Sequence, residues 1–129
     1  MANFEAKDIR NIIFLGHSGC GKTSLGEALL YNGGAIPRMG SIAEGTTVSD
    51  YNEDEKERKC SISSSMMTFI SGGKKINMID TPGYTDFAGE MIGGLRAADT
   101  SIVIVNATGG VEIGTEKAQR MSGEKGVPS

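Results

Sequence analysis

The chain alternates between short apolar runs and segments with the pattern of helices. The runs 11–15 and 101–105 are almost continuously apolar and predict strands that are buried on both faces. The runs 61–70 and 74–79 flank Gly72-Gly73 and predict an antiparallel hairpin. Helices are predicted in three further segments: 24–31, 87–98 and 112–125. Because strands alternate with helices, the pattern predicts an α/β domain with a mainly parallel sheet and one antiparallel edge hairpin.

The apolar positions within these elements also predict the core. The helical stripes consist of Leu25, Ala28, Leu29 and Tyr31 in the first helix, and of Phe87, Met91, Ile92 and Leu95 in the second. In the first arm of the hairpin, Ile62, Met66 and Ile70 alternate with polar residues. The methionines at 66, 67, 78 and 91 are predicted to fill the core, because this unbranched side chain adapts to irregular gaps.

Composition and charge narrow the class of protein. The chain has 129 residues and a formal net charge of −3, which suits one domain and does not suit a surface that coats nucleic acid. Cys20 and Cys60 lack the spacing of a metal site or a disulfide framework and fit a reducing cytosol. No apolar run is long enough to span a membrane, and no signal peptide is recognised. We therefore expect a cytoplasmic protein without membrane attachment or direct DNA binding.

The most informative motif runs from Gly16 to Thr23 and reads Gly-His-Ser-Gly-Cys-Gly-Lys-Thr. Its spacing is that of a phosphate-binding loop, in which glycines let backbone N–H groups approach phosphate oxygens. Lys22 supplies a cation for the β- and γ-phosphates, and Thr23 supplies a hydroxyl for Mg²⁺. The motif follows a predicted strand and precedes a predicted helix, which is the order that phosphate binding requires. His17 and Cys20 occupy variable positions as spacers, and Cys20 at a helix N-terminus is also a candidate redox-sensitive thiol.

A second motif, Asp80-Thr81-Pro82-Gly83, stands at the end of the second hairpin strand. In isolation it indicates an ordinary turn. After a phosphate loop, however, the Asp80 carboxylate predicts a Mg²⁺ ligand that acts through a water, and the Gly83 N–H predicts a contact that senses a γ-phosphate. Ligands of such sheets bind beyond the carboxyl ends of the strands, so we expect both motifs and the start of the Ser61 strand to converge there.

These motifs resemble the GTP-binding domain of ribosome-associated translational GTPases, in particular the elongation factor G family or one of its paralogues. The matching segments extend over most of the chain: 16–23, 27–34, 45–47 with Asp50, 55–58, 76–83, 86–87 and 107–111. The resemblance implies a P-loop NTPase fold in which residues 1–129 are the N-terminal part of the domain. It also implies GTP or GDP and Mg²⁺ as cofactors, the ribosome as partner, and GTP hydrolysis as a conformational switch.

The resemblance further implies switch I over residues 38–63, switch II over residues 80–90, and three sets of site residues. The implied nucleotide-binding residues are His17, Ser18, Gly19, Cys20, Gly21, Lys22, Thr23, Ser24, Asp80 and Gly83. The implied Mg²⁺ ligands are Thr23, Ser61 and Asp80. The implied catalytic residues are Tyr84, Gly83 and Lys22.

Three residues depart from the family pattern. Tyr84 stands where the family usually has a His that orients the attacking water, and because a phenol stays neutral at neutral pH we expect weak hydrolysis. Ser61 stands in place of the switch I Thr and keeps its oxygen, although the serines at 63–65 leave open a polar strand face instead. Gly19 stands where many members have an Asp associated with a monovalent cation, so no such cation is expected here.

The chain ends at Ser129, about where the strand that leads to a guanine-reading N-K-x-D segment should begin. We interpret the sequence as a fragment of a larger protein that binds phosphates without distinguishing GTP from ATP. In the expected strand order, residues 101–106 form an exposed apolar edge, where we expect self-association of the fragment or partial disorder. Three alternatives stay open: a ribosomal-protection GTPase, a non-hydrolysing nucleotide-binding regulatory module and, more distantly, a P-loop ATPase or small-molecule kinase.

Overall fold

Four strands and three α-helices are found in residues 4–49, 63–83 and 88–129, which are the residues that the computed structural model describes. In chain order they are β1 (Ile9–Gly16), α1 (Lys22–Asn32), β2 (Ser65–Ser71), β3 (Lys74–Asp80), α2 (Ala88–Ala97), β4 (Thr100–Ile104) and α3 (Ile113–Glu124). A 3-10 turn at Ala6–Asp8 precedes β1. The prediction began the first hairpin strand at Ser61, whereas β2 begins at Ser65 and the described residues Ser63 and Ser64 precede it.

The strands form one sheet in the order β2-β3-β1-β4. Strand β1 runs parallel to both β3 and β4, and β2 pairs antiparallel with β3. Gly72 and Gly73 connect β2 to β3 with φ values of +54° and +74°, the pair of positive φ angles that a type I′ hairpin turn requires. The predicted α/β domain with a mainly parallel sheet and one antiparallel edge hairpin is therefore confirmed.

Two apolar clusters cover the opposite faces of the sheet. On the side of α2 and α3 the cluster consists of Ile13, Leu15, Ile79, Met91, Leu95, Ala118 and Met121. On the side of α1 it consists of Phe14, Leu30, Met67, Phe69 and Met78. Neighbouring side chains of β1 point to opposite faces, so Ile13 and Leu15 enter one cluster and Phe14 enters the other. The continuous apolar run of β1 follows from this double coverage, as predicted.

Helix α1 turns a largely polar side toward the sheet. Its buried residues are Lys22, Thr23, Gly26, Glu27 and Leu30. The predicted apolar stripe is therefore wrong at both ends, because Leu25 is 37% exposed and Tyr31 is 50% exposed. Gly26 lets the helix approach closely, since a Cβ there would lie 3.2 Å from Met78 Cε. The first two turns of α1 thus bring polar groups, and few apolar ones, to the sheet.

The hairpin strand β2 buries the face opposite to the predicted one. Met67 and Phe69 are buried on the side of α1, whereas Met66 is 73% exposed and Ile70 is 51% exposed. Because successive side chains of a strand point to opposite faces, a shift of one residue exchanges the whole buried set. Met66 is thus the one methionine of the predicted set of four that does not fill the core.

Strand β4 lies at the outer edge of the described sheet, as predicted. The segment 101–105 is not buried on both faces, since Ile102 is 38% exposed and Val105 is 46% exposed. The reason is that α3 packs on β4 from one face, whereas α1 packs on β1, β2 and β3. Self-association through this edge stays a prediction. Among the helices in the described parts of the chain, none has the length and apolar character needed to cross a bilayer.

Candidate functional site

The first element of the site is the turn that joins β1 to α1. Gly16 ends β1 with a φ of +145°, and Gly21 precedes α1 with a φ of +100°, and side chains with a Cβ rarely adopt such conformations. A Cβ on Gly16 would clash with the carbonyl oxygen of Ile104, so the turn also packs tightly against the end of β4. Gly21 has no side chain to cap α1, and the N–H groups of a first helical turn favour an anion. The turn therefore has the backbone shape predicted for a phosphate loop.

Lys22 lies folded onto this turn. The residue is buried, and its Nζ donates to the carbonyl oxygens of Gly16 and His17 at 3.2 and 2.8 Å. The same ammonium group lies 3.8 Å from Cys20 Sγ. The backbone of the turn thus holds in place the cation that the motif predicts for phosphate contact.

Thr23 and Asp80 meet at the carboxyl edge of the sheet. Thr23 Oγ1 donates to Asp80 Oδ2 at 2.7 Å, and both residues are buried. The meeting follows from the topology, since β1 and β3 are parallel neighbours and Phe14 pairs with Asp80. Beyond β3, the fully buried Thr81 donates from Oγ1 to the carbonyl oxygen of Phe14 at 2.7 Å and so fixes the following turn. The structure therefore brings together two of the three predicted Mg²⁺ ligands.

Gly83, the last residue of the second motif, packs against the phosphate loop. A Cβ on Gly83 would lie 2.5 Å from Lys22 Nζ and 2.6 Å from both the nitrogen and the Cα of Ser18. Real Cβ atoms do not approach so closely, so only glycine permits this packing. Residues of both motifs thus lie together at one edge of the sheet: Ser18, Lys22, Thr23, Asp80 and Gly83.

This set of groups fits a nucleotide phosphate accompanied by Mg²⁺. A hydroxyl and a carboxylate oxygen are hard ligands of the kind that Mg²⁺ prefers, and Mg²⁺ commonly completes its octahedron with waters and phosphate oxygens. Within the described ranges, no group of three or more His, Cys, Asp or Glu residues is arranged to hold a metal. Thr23 and Asp80 would hold the ion, while Lys22 and the loop N–H groups would hold the phosphates.

The remaining predicted site residues fall into two groups. Ser18, Gly19 and Cys20 lie in the turn between β1 and α1, and Ser24 is exposed on the first turn of α1. Ser61 and Tyr84 lie outside the described residues, as do all of residues 50–62 of switch I and residues 84–87 of switch II. The metal role of Ser61 and the catalytic role of Tyr84 therefore stay predictions.

Sequence reasoning missed a contact between the phosphate loop and α3. His17 Nε2 lies 3.6 Å from Glu112 Oε1, and Glu112 also caps α3 in a capping box with Thr115. A Cβ on Gly114 would lie 2.7 Å from His17 Nδ1, so His17 is packed against the first turn of the helix. The usual sequence signature has Ser or Thr at the N-cap and Glu three residues later, whereas Glu112 and Thr115 stand in the reverse order. No local pattern links α3 to the loop, so the sequence carries no signal for either contact.

A second missed residue is Glu27, whose carboxylate is almost fully buried on α1 at 2% exposure. It accepts hydrogen bonds from the backbone N–H groups of Gly40 and Val48. One signal was available in the sequence, since Glu27 follows Thr23 by one helical turn and therefore shares its face of α1.

Known proteins resemble this chain along almost its whole length. The family model of the elongation factor Tu GTP binding domain matches residues 7–129. An elongation factor G-like protein of Mycobacterium tuberculosis (strain H37Rv) is 41% identical over 120 residues, covering 93% of this chain and 17% of that protein. Mitochondrial ribosome-releasing factor 2 of Candida dubliniensis is 40% identical over 126 residues, covering 98% of this chain and 16% of that protein. The chain thus spans about a sixth of the length of these relatives.

Solved structures agree with the sequence relatives. A crystal structure of a Thermus thermophilus protein superposes with a TM-score of 0.90 at 42% identity, covering 93% of this chain and 18% of that one. A bacterial selenocysteine-specific elongation factor, at 22% identity and a TM-score of 0.72, shares the fold. Together with the phosphate loop and the Asp80–Gly83 turn that the fold brings beside it, these matches show that the chain belongs to the elongation factor Tu GTP-binding domain family.

Proposed function

We propose that this chain binds GTP and GDP with Mg²⁺ and is part of a translation factor that hydrolyses GTP. The observation that carries the proposal is the buried contact of Thr23 Oγ1 with Asp80 Oδ2 at 2.7 Å, on the helix that begins at Lys22. This contact joins two motifs that are distant in the sequence and supplies the hydroxyl and carboxylate of a P-loop Mg²⁺ site. Membership in the family supports a guanine nucleotide as the ligand.

Each residue of the site has a task that its chemistry supports. Lys22 exchanges its contacts with loop carbonyls for phosphate oxygens, because an ammonium group binds an anionic phosphate oxygen more strongly than a neutral carbonyl oxygen. Thr23 and Asp80 hold the metal position, and Gly83 offers its N–H beside the loop as the sensor of a γ-phosphate. When bound there, Mg²⁺ would neutralise part of the negative charge of the phosphates. Asp80 and Thr81 are almost fully buried and form the floor of the site.

For the whole protein we propose GTP-dependent action on the ribosome. The support comes from relatives named as an elongation factor G-like protein and as a ribosome-releasing factor. In this proposal, residues 38–63 and 80–90 change conformation between the GTP and GDP states, and the ribosome responds to the difference. We place the protein in the cytoplasm, while mitochondrial relatives make an organelle the alternative.

Two alternatives have different consequences in solution. A ribosomal-protection GTPase would hydrolyse GTP on the ribosome but differ in its further domains. A non-hydrolysing module would bind nucleotide without turnover, and Tyr84 in place of the usual His supports this alternative. Ribosome-stimulated GTP turnover by the full-length protein separates the two hydrolysing factors from the module, because only a module shows no stimulation.

The phosphate-binding role is tested by Lys22→Ala in the full-length protein, with Lys75→Ala as the matched control. Lys75 lies at the start of β3, at the opposite end of the strand from Asp80. Removing one charge-assisted contact weakens binding by about 10- to 100-fold. We therefore expect GTP and GDP affinity, measured by fluorescence titration, to fall by this factor in Lys22→Ala and to stay unchanged in the control. Equal affinities of all three proteins would refute the proposed site.

A further inference from the structure

The buried carboxylate of Glu27 has no place in either phosphate motif. Glu27 lies on α1 one helical turn after Thr23 and is 2% exposed. A carboxylate is this deeply buried only where hydrogen bonds or ion pairs offset its loss of water. The partners of Glu27 therefore indicate what the residue does.

Both oxygens of Glu27 bind the two ends of one loop. The N–H of Gly40 donates to Oε2 at 2.8 Å, and the N–H of Val48 donates to Oε1 at 2.5 Å. Between these ends the chain closes on itself, because the Ser41 carbonyl oxygen accepts from the N–H groups of Glu44 and Thr46. Glu27 thus acts as a clip across a closed loop, and we call residues 40–48 the clipped loop.

The clipped loop packs tightly against its clip and is also tied to the sheet. A Cβ on Gly40 would lie 2.5 Å from the carbonyl oxygen of Thr46 and 2.8 Å from Glu27 Oε2, so only glycine fits there. Directly after the loop, the buried Ser49 accepts at its carbonyl oxygen a hydrogen bond of 2.7 Å from Ser65 Oγ. Ser65 in turn pairs with Asp80 across β2 and β3. The loop is therefore anchored to α1 at one side and, through Ser49, to the Asp80 end of the sheet at the other.

We propose that Glu27 is a positioning residue of the nucleotide switch, which holds the clipped loop in a fixed relation to Thr23 and Asp80. The clipped loop precedes Ser61 in the sequence, so a loop held in one position biases the equilibrium between the two states of the switch. In this role Glu27 favours the GTP-bound state over the GDP-bound state without touching the nucleotide. The inference rests on the proposed function, but its structural half can be tested without nucleotide.

The structural half is tested by hydrogen exchange in the full-length protein without nucleotide, comparing Glu27→Gln with Glu44→Gln. Glutamine keeps one accepting oxygen and replaces the other by a donor, so it cannot accept from both N–H groups. Glu44 is an exposed carboxylate of the same loop and is therefore the matched control. We expect exchange at Gly40 or Val48 to become at least about tenfold faster in Glu27→Gln and to stay unchanged in Glu44→Gln. Unchanged exchange in both variants would overturn the clip.

The functional half is tested by the ratio of affinities for a non-hydrolysable GTP analogue and for GDP. We expect Glu27→Gln to lower the affinity for the analogue about tenfold, while the affinity for GDP stays within about twofold. A factor of about ten corresponds to the free energy of one charge-assisted hydrogen bond. A loss of fold would lower the affinity for both ligands together. A clip with only a structural role would leave the ratio of affinities unchanged. Either result would overturn the positioning role. If the wild-type protein binds neither ligand, the proposed function is wrong. The hydrogen-exchange experiment still tests whether Glu27 holds the clipped loop.

Gly40→Ala tests the same positioning role by a change in the clipped loop and leaves the sequence of α1 intact. A methyl group at this position displaces the loop from the Glu27 carboxylate, because the neighbouring atoms at 2.5 and 2.8 Å leave no space for it. We expect the same change in the affinity ratio as in Glu27→Gln. Gly123→Ala on α3, where a Cβ meets nothing within 4 Å, is the matched control and should leave the ratio unchanged. A normal ratio in Gly40→Ala would contradict the proposal even if Glu27→Gln did not fold.

Discussion

Replacing Thr23 by Val removes one oxygen from the centre of the site and changes little else. The two side chains have nearly the same shape, so the substitution opens no cavity beneath α1. It deletes the hydrogen bond of 2.7 Å that Thr23 donates to Asp80 Oδ2. The Asp80 carboxylate stays behind at 1% exposure, where water cannot easily take over the missing contact.

The expected loss of stability follows from two opposing terms. A hydrogen bond to a charged group contributes about 1.5–3 kcal/mol, and the methyl group that replaces the hydroxyl returns roughly 0.8 kcal/mol of hydrophobic stabilisation. The net destabilisation is therefore about 1–2 kcal/mol, so the polar term dominates. Because the surface exposed on unfolding stays the same, the urea midpoint should fall while the m-value does not change.

Two measurements check this prediction. Urea unfolding followed by circular dichroism reports the change in the free energy of unfolding. Titration of GTP with Mg²⁺ and with EDTA reports whether the metal strengthens nucleotide binding, which we expect in the wild type and not in Thr23→Val. The second measurement is specific to the site, because a general loss of stability does not abolish the effect of Mg²⁺ on affinity.

Thr68→Val is the matched control for this experiment. The Thr68 hydroxyl donates to Asn77 Oδ1 at 2.9 Å on the exposed surface of β2, where a substitution changes stability by roughly 0.5 kcal/mol or less. If Thr23→Val unfolds at the same urea concentration as the wild type, or if Mg²⁺ strengthens GTP binding equally in both, the reasoning about the Thr23–Asp80 contact is wrong.

Two further predictions concern hydrolysis and acid stability. Tyr84→His should raise the single-turnover rate of GTP hydrolysis in the complete domain, because a His orients water better than a neutral phenol; an unchanged or lower rate would contradict the proposed weak hydrolysis. The hydrogen bond from Lys74 Nζ, at 2.6 Å, lowers the pKa of Asp8 below its ordinary value. Because the folded-state pKa is depressed, the stabilising contact is present above the ordinary pKa of an Asp and is lost as the pH falls through the lowered value. An NMR titration of the Asp8 carboxyl should therefore show a higher pKa in Lys74→Met than in the wild type, and equal values would exclude Lys74 as the cause.

Local patterns in the sequence were sufficient to order the elements along the chain and to predict a class of ligand. Apolar runs, helical periodicity and the Gly72-Gly73 turn are local signals, and local signals suffice to locate β1, the hairpin and α3. The phosphate loop was equally readable, because its function requires glycines, Lys22 and Thr23 at fixed spacing along one stretch of chain. Even the convergence of Thr23 with Asp80 followed, since parallel neighbouring strands end at the same edge.

Tertiary structure alone decided which side of each element is buried and which distant groups meet. Leu25 and Met66 are apolar but exposed, because α1 and β2 pack into the fold through other residues. These residues are Gly26 and Leu30 on α1 and Met67 and Phe69 on β2. Glu27 is charged but buried, because the N–H groups that satisfy it come from residues 40 and 48, well beyond its own helix. Burial is a property of what packs against a side chain from the rest of the fold, and this information is not contained in the periodicity of a single segment.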